Sequence, residues 1–238
     1  MQWQSDQCWR RVTTAAIFHG DGESGWFDLA VKSGEFDVTK GRLEAFTDGV
    51  IAIIITILVL EFRPPHGADL ETLRPLIPTA LSYVLSFVFI AIYWSNHHHL
   101  LHAVRHVDGR VLWANTHLLF WLSLTPFATA WMGDNHFATL PVALYGFVLF
   151  MSAIAFTILV RTLIAKHGPE STIARAVGAD RKGWLSLALY GAAVPLAFLN
   201  RWLAMAIYVT VALIWLVPDT RIERTLMEGA ASPKHADT

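Results

Sequence analysis

Between Asp48 and Glu61 the chain reads GVIAIIITILVL, an apolar stretch whose only side-chain hydroxyl is Thr56. In water five isoleucines so close together would favour a strand. Inside a bilayer an isolated strand leaves its backbone groups unsatisfied, so a run of this kind must be helical. Asp37 or Thr39 can cap that helix, and Pro64-Pro65 stop it. The run therefore forces a choice between a buried helix and a membrane span. The rest of the chain decides it.

Five more apolar segments follow, near 76–99, 111–132, 138–162, 183–199 and 202–217. The first four of the six reach the ~20 residues that hydrocarbon demands. The last two are shorter and are separated by Asn200 and Arg201, which mid-bilayer burial would penalise, so a tight helical hairpin is expected there. Only 16% of the 238 residues are charged, and the mean hydropathy is +0.44. The expected fold is an all-α membrane protein with six transmembrane helices over residues 39–220. Residues 1–38 read as a polar N-terminal extension, poorly ordered and cytoplasmic, and 221–238 as a cytoplasmic tail. Pro126 and Pro195 are expected to kink their helices.

Basic residues give the orientation. Arg105, Arg110, Lys166, Arg175, Arg181 and Lys182 fall in the second and fourth loops, and the C-terminal tail adds Arg221, Arg224 and Lys234. The alternate loops carry only Arg63, Arg74 and Arg201. The bias places both termini in the cytoplasm of a multi-pass cell-membrane protein. A net charge of −1 gives no hint of nucleic-acid binding. The single cysteine, Cys8, excludes an intrachain disulfide framework and a cysteine zinc site.

At 100° per residue, one stripe of the first helix carries Arg42, Phe46, Gly49, Ile53, Thr56 with Ile57, and Leu60. Asp48 lies roughly 140° away from Ile53. A charge there is expensive in lipid, so it is expected to be buried against other helices of its own subunit, in a structural hydrogen-bond network. The stripe itself admits two readings. It is a packing seam in which Thr56 bonds back to the carbonyl of Ala52, or it lines a pathway in which Thr56 supplies the one side-chain hydroxyl.

The histidines of HHHLLHAVRH compete for a functional role. His98, His102 and His106 repeat at four-residue spacing, which suits a metal or haem. No carboxylate joins them before Asp108, and no His-Glu-x-x-His motif occurs. A polar helix end at the membrane interface is the plainer reading, with His97 and His98 as interface or pH-sensing candidates. No metal or cofactor is expected, and no nucleophile elbow, phosphate loop or paired-carboxylate pattern suggests an enzyme.

The opening R-x-x-x-F-T-D, at Arg42, Phe46, Thr47 and Asp48, followed by the isoleucine run, resembles the transmembrane protein 175 family of potassium channels. That family's motif has serine where this chain has Thr47, which keeps the hydroxyl. Tyr83, Ser86, Phe87, Trp94, His97 and His98 fit the family's second segment, and Asn115 with Thr125-Pro126-Phe127 fits its third. The resemblance spans about residues 40–220 and implies a single-repeat subunit of a homotetramer whose first helices line a central pore. Carried over residue by residue, it implies a hydrophobic constriction at Ile53, with further apolar rings at Ile57 and Leu60. It makes Thr56 the selectivity residue for passive, leak-type K⁺ conduction. Arg42, Phe46, Thr47 and Asp48 would be the motif that holds the helix in place. A secondary transporter and a membrane metal or haem protein using His97–His106 are the alternatives.

Overall fold

The computed structural model describes residues 40–104, 106–178 and 180–216. The expected N-terminal extension, the cytoplasmic tail, Cys8 and the proposed caps Asp37 and Thr39 lie outside the described residues.

Among the described residues the chain is helical, without strands. Helix α1 spans Lys40–Leu60. A 3-10 segment, Leu70–Leu76, leads into α2, Ile77–His102. Then come α3 (Gly109–Ser123) and α4 (Thr125–Asp134). Helix α5 is the longest, Thr139–His167. The short α6 (Thr172–Val177) connects it to α7 (Arg181–Leu199) and α8 (Arg201–Leu216). Four helical stretches are long and apolar enough to cross a membrane, those over 40–60, 70–102, 139–167 and 181–199.

The third apolar segment is expected as one helix and is found as two, meeting at Leu124. Pro126 is the cause. It has no N–H to give the carbonyl four residues back, and its ring crowds that turn. The chain closes locally instead, with the Leu124 N–H donating to Trp121 O at 3.2 Å. Pro195 has a weaker effect, because α7 runs through it without interruption.

The expected hairpin forms at Asn200. Its backbone is extended (φ −152°, ψ 102°). Its side-chain Oδ1 accepts from the N–H groups of Trp202 and Leu203, at 3.0 and 3.3 Å. Asn200 thus stops one helix and caps the next, and α7 and α8 pack against each other.

Two apolar cores hold the bundle. One gathers Leu43, Ile51, Ile54 and Leu58 of α1 with the C-terminal ends of α2 and α5 and with α3. The other joins the middle of α2 and the start of α5 to α4, α7 and α8. Close approach depends on small residues at two points. A Cβ on Gly133 would sit 2.8 Å from the Thr79 Cα, and one on Gly146 would collide with the Tyr208 phenol. Such contacts let membrane helices approach without a hydrophobic driving force between them. Polar side chains supply the rest: Ser86 Oγ lies 2.7 Å from Thr129 Oγ1 and 3.0 Å from Tyr145 Oη, tying α2 to α4 and α5.

The loop between α2 and α3 is held by one carboxylate. Asp108 caps α3 by accepting the Val111 N–H at 3.0 Å, and it pairs with Lys166 of α5 at 3.1 Å. The backbone hydrogen bond, helped by Lys166, holds its carboxyl below the ordinary 3.8. A depressed carboxyl contributes stability that is complete above its unfolded value and is lost as pH falls through the folded one. Asp108→Asn removes the charge but keeps the cap; Asp108→Ala removes both. At neutral pH, Asp108→Ala is expected to cost about 1 kcal/mol, the usual value of an N-cap. The gap between wild type and Asp108→Asn should close as pH drops below 3.8. Thermal unfolding in detergent across that window measures both; a gap that stays constant with pH refutes the ionic contribution.

Candidate functional site: the unpaired face of the first helix

Helix α1 divides cleanly into two faces. Leu43, Thr47, Ile51, Ile54 and Leu58 are buried. At 100° per residue they fall within about 80° of one another, centred roughly 120° from Ile53. That face packs on α2, α3 and α4.

The opposite face has no packing partner among the described residues. Phe46 is 55% exposed, Ile53 59%, Ile57 39% and Leu60 76%. Arg42, Gly49 and Thr56 flank them on the same surface. The whole stripe expected from helical geometry therefore lies on one uncovered side. Among the described residues it does not pack as a seam inside the subunit. Thr56 sits near the middle of the exposed arc, which extends through Ala52 and Val59 to Asp48.

The Thr56 hydroxyl is committed, but not to Ala52 as expected. It donates to Ile53 O at 2.8 Å, three residues back rather than four. The proton is thus directed into the helix, and the oxygen's remaining acceptor capacity is left to whatever meets the exposed face.

Asp48 departs from expectation. It is exposed rather than buried in its own subunit. Its place at the edge of the exposed arc explains this, because the buried sector begins only past Glu44, at Ile51. It is nevertheless tethered: Trp94 Nε1 of α2 donates to Asp48 Oδ1 at 3.0 Å. Arg42 is exposed too, and makes no ion pair among the described residues. Lys40 pairs instead with Glu44, at 3.7 Å along the helix.

The motif's buried member is Thr47. Asn115 Nδ2 of α3 donates to Thr47 Oγ1 at 2.9 Å, while Asn115 Oδ1 lies 2.8 Å from His97 Nε2. A carbonyl oxygen only accepts, so Nε2 carries the hydrogen. Thr47, Asn115 and His97 are all buried, and together they lock α1, α3 and α2 at one level. This arrangement fixes which way α1 turns and hence which residues its free face presents. In the sequence, Thr47 and Asn115 stand out only through family resemblance, and His97 also as the start of the histidine run. Charge directed attention to Asp48, when the uncharged neighbour is the one that reaches the interior.

His98 does not join this network. It is exposed and stacks on Trp94 with ring centroids 6.0 Å apart, and His102 lies 4.9 Å from it. Among the described residues no three histidine, cysteine or carboxylate side chains converge as a metal site would require. Nothing in the geometry favours the metal or haem alternative.

The sequence profile of the family described as "Endosomal/lysosomal potassium channel TMEM175" matches residues 42–126, which contain α1 to the start of α4. A protein from Chryseobacterium sp. (strain P1-3), named a potassium channel, is 51% identical over 192 residues, 81% of this chain and all of the relative. Another so named, from Chamaesiphon minutus, is 31% identical over 190 residues, 73% of this chain and 91% of the relative. The fold is similar to the crystal structure of a lysosomal potassium-selective channel TMEM175 homolog from Chamaesiphon minutus. The TM-score is 0.64 at 29% identity, over 75% of this chain and 96% of that one.

Proposed function

Since the chain belongs to the TMEM175 family, with a relative half identical to it over 192 residues, we propose that it is the subunit of a potassium channel. Its pore would be lined by the free face of α1. The observation that carries this reading is the stripe of Phe46, Ile53, Ile57 and Leu60, which the other described helices leave uncovered. The potassium-channel relatives and the potassium-selective structural neighbour support the ion. The protein conducts ions rather than acting as an enzyme.

One helix encloses no path, so the reading requires several copies around an axis. We take the assembly to be a homotetramer with six spans per subunit. The basic loops and even number of spans put both termini in the cytoplasm of the cell membrane. Ile53 then forms an apolar ring at the axis. Thr56 follows about 4.5 Å along the helix and Leu60 about 10 Å along it. Apolar rings limit flux by excluding hydrated ions, and an oxygen lining offers a partial replacement for lost water. Thr56 suits that part because its proton is engaged by Ile53 O. Ile57 extends the apolar wall. Arg42, Phe46, Thr47 and Asp48 set the position of α1, and His97 belongs to that support. His98, exposed beside Trp94, stands as an interface or pH-sensing candidate.

The test is a bi-ionic K⁺/Na⁺ reversal potential in liposomes reconstituted with the protein. Wild type should pass potassium in preference to sodium. Thr56→Val keeps the shape, removes the oxygen and should move the reversal potential toward zero without loss of assembled protein. No potassium current from assembled wild type would overturn the channel. A reversal potential unchanged in Thr56→Val would remove Thr56 from the ion path.

A further inference from the structure

Away from the first helix, a cavity of about 620 Å³ lies among α2, α5, α6, α7 and α8. Its walls change character along their length. At one end stand Arg175 of α6 and Arg181 and Lys182, the first residues of α7. Further in, the lining is aromatic and aliphatic, with Phe89, Phe156, Tyr190 and Trp215 prominent. Tyr190 lies nine residues beyond Arg181 on the same helix, which sets it about 13 Å deeper along the helix axis. The volume is within the ~300–1,000 Å³ typical of ligand pockets.

The charge balance favours an anion. Two exposed arginines, Arg175 and Arg181, line the mouth, and the one carboxylate among the described lining residues is Asp180. Arg175 and Arg181 are exposed, and neither makes an ion pair among the described residues. Asp180 is occupied elsewhere, because its Oδ1 accepts the Gly183 N–H at 3.1 Å and so caps α7. Burial, the largest influence on it, raises its carboxyl above the ordinary 3.8. Helix α7 starts here, so its positive dipole end adds to the same field. The apolar depth would repel a small hydrated anion, while the cationic mouth would repel a plain hydrocarbon. Only an amphiphile satisfies both ends.

We propose that this cavity binds an anionic phospholipid of the surrounding bilayer. The phosphate would be held by Arg175 and Arg181 beside Lys182, and one acyl chain would lie against Phe89, Phe156, Tyr190 and Trp215. Basic pockets between membrane helices, next to the headgroup layer, have the right depth and charge for such a lipid. The site is remote from the free face of α1 and stands independently of the channel reading.

Trp215 reports on it directly. Its indole lines the cavity and donates from Nε1 to Ser186 Oγ at 2.8 Å. The protein is reconstituted into phosphatidylcholine vesicles doped with chain-brominated phosphatidylglycerol or chain-brominated phosphatidylcholine. The fluorescence difference between wild type and Trp215→Phe isolates the Trp215 signal. Brominated phosphatidylglycerol should quench that signal at a lower mole fraction than the zwitterionic lipid. The double change Arg175→Gln/Arg181→Gln should raise the required fraction by about fivefold for each arginine lost. Ala153→Phe, which fills the cavity while keeping its charge, should abolish quenching in protein that still elutes as the wild-type assembly. Should Ala153→Phe fail to assemble, the arginine variant carries the test, since both side chains are exposed. Equal quenching by the two lipids, or a preference untouched by the arginine changes, would overturn the proposal. So would thermal stabilisation by glycerol phosphate in water with no lipid quenching, which would assign the mouth to a free anion. Potassium flux recorded in the same vesicles separates the two conclusions: quenching without flux refutes the channel and leaves the lipid site standing.

Discussion

Ile53→Asn should raise potassium conductance several-fold and weaken discrimination against sodium. Ile53 is 59% exposed in the subunit and lies on the uncovered face of α1. In the proposed pore the cost of passing an ion at Ile53 would come from stripping its water between apolar side chains, since nothing in an isoleucine replaces the lost hydration. Each factor of ten in rate corresponds to ~1.4 kcal/mol of barrier. In the proposed tetramer four amides at one level would offer oxygen atoms and hold water, so lowering the barrier by that amount needs only a modest rehydration. Folding should be little affected, because the changed side chain contacts no core of its own subunit. Single-channel recording in symmetrical and bi-ionic solutions reads both effects. If conductance and reversal potential match wild type while Thr56→Val is also silent, the free face of α1 does not meet the ion.

Asn115→Leu should destabilise the subunit more than any change at Asp48. Leucine fills the space of the amide but ends two interhelical hydrogen bonds, to Thr47 at 2.9 Å and to His97 at 2.8 Å. Polar bonds between membrane helices average ~0.6 kcal/mol and reach ~1.7 kcal/mol, because helices apart in lipid also find partners. The orphaned Thr47 hydroxyl and His97 N–H stay buried, which pushes the cost upward. A total of about 1–3 kcal/mol follows. Asp48→Ala removes one bond, from Trp94, at an exposed site where water or headgroups substitute, and should cost clearly less. Tryptophan-detected thermal unfolding of both variants in one detergent ranks them. A larger loss for Asp48→Ala would show that the charged position, rather than the buried triad, orients α1.

The same triad shows where reading residues in order succeeds and where it stops. Periodicity placed the stripe from Arg42 to Leu60 on one side of α1, and the structure leaves that side uncovered. The inference works because a helix has a fixed angular step and its side chains cannot rearrange around it. Periodicity is silent on which face looks inward when nearly every residue is apolar. In water the polar face would identify itself, but in a bilayer the isoleucines on both faces are equally acceptable. Asp48 was assigned to the interior because charge avoids lipid. That argument leaves out the other outlets a charge has, here a tryptophan N–H at the edge of an exposed face. The break at Leu124 was within reach, since Pro126 marks it. The Thr56 partner was not, because a hydroxyl can return to either the third or the fourth carbonyl behind it with small changes in rotamer.

What the sequence alone determined is therefore where the long apolar helices run and which stripe each residue of the first one shares. Long apolar runs admit only helix in lipid, and Pro126 and Asn200 end helices for local steric and hydrogen-bonding reasons. The tertiary structure alone decided the rotation of each helix about its axis. It turned Thr47, rather than Asp48, toward Asn115 and His97. It left the side chains of Ile53 and Thr56 uncovered by any other described helix. It also brought Arg175, Arg181 and Trp215, which are distant in sequence, around one cavity. Those outcomes depend on pairs of side chains from different helices meeting within hydrogen-bond or van der Waals reach, and no periodicity along a single helix contains that information.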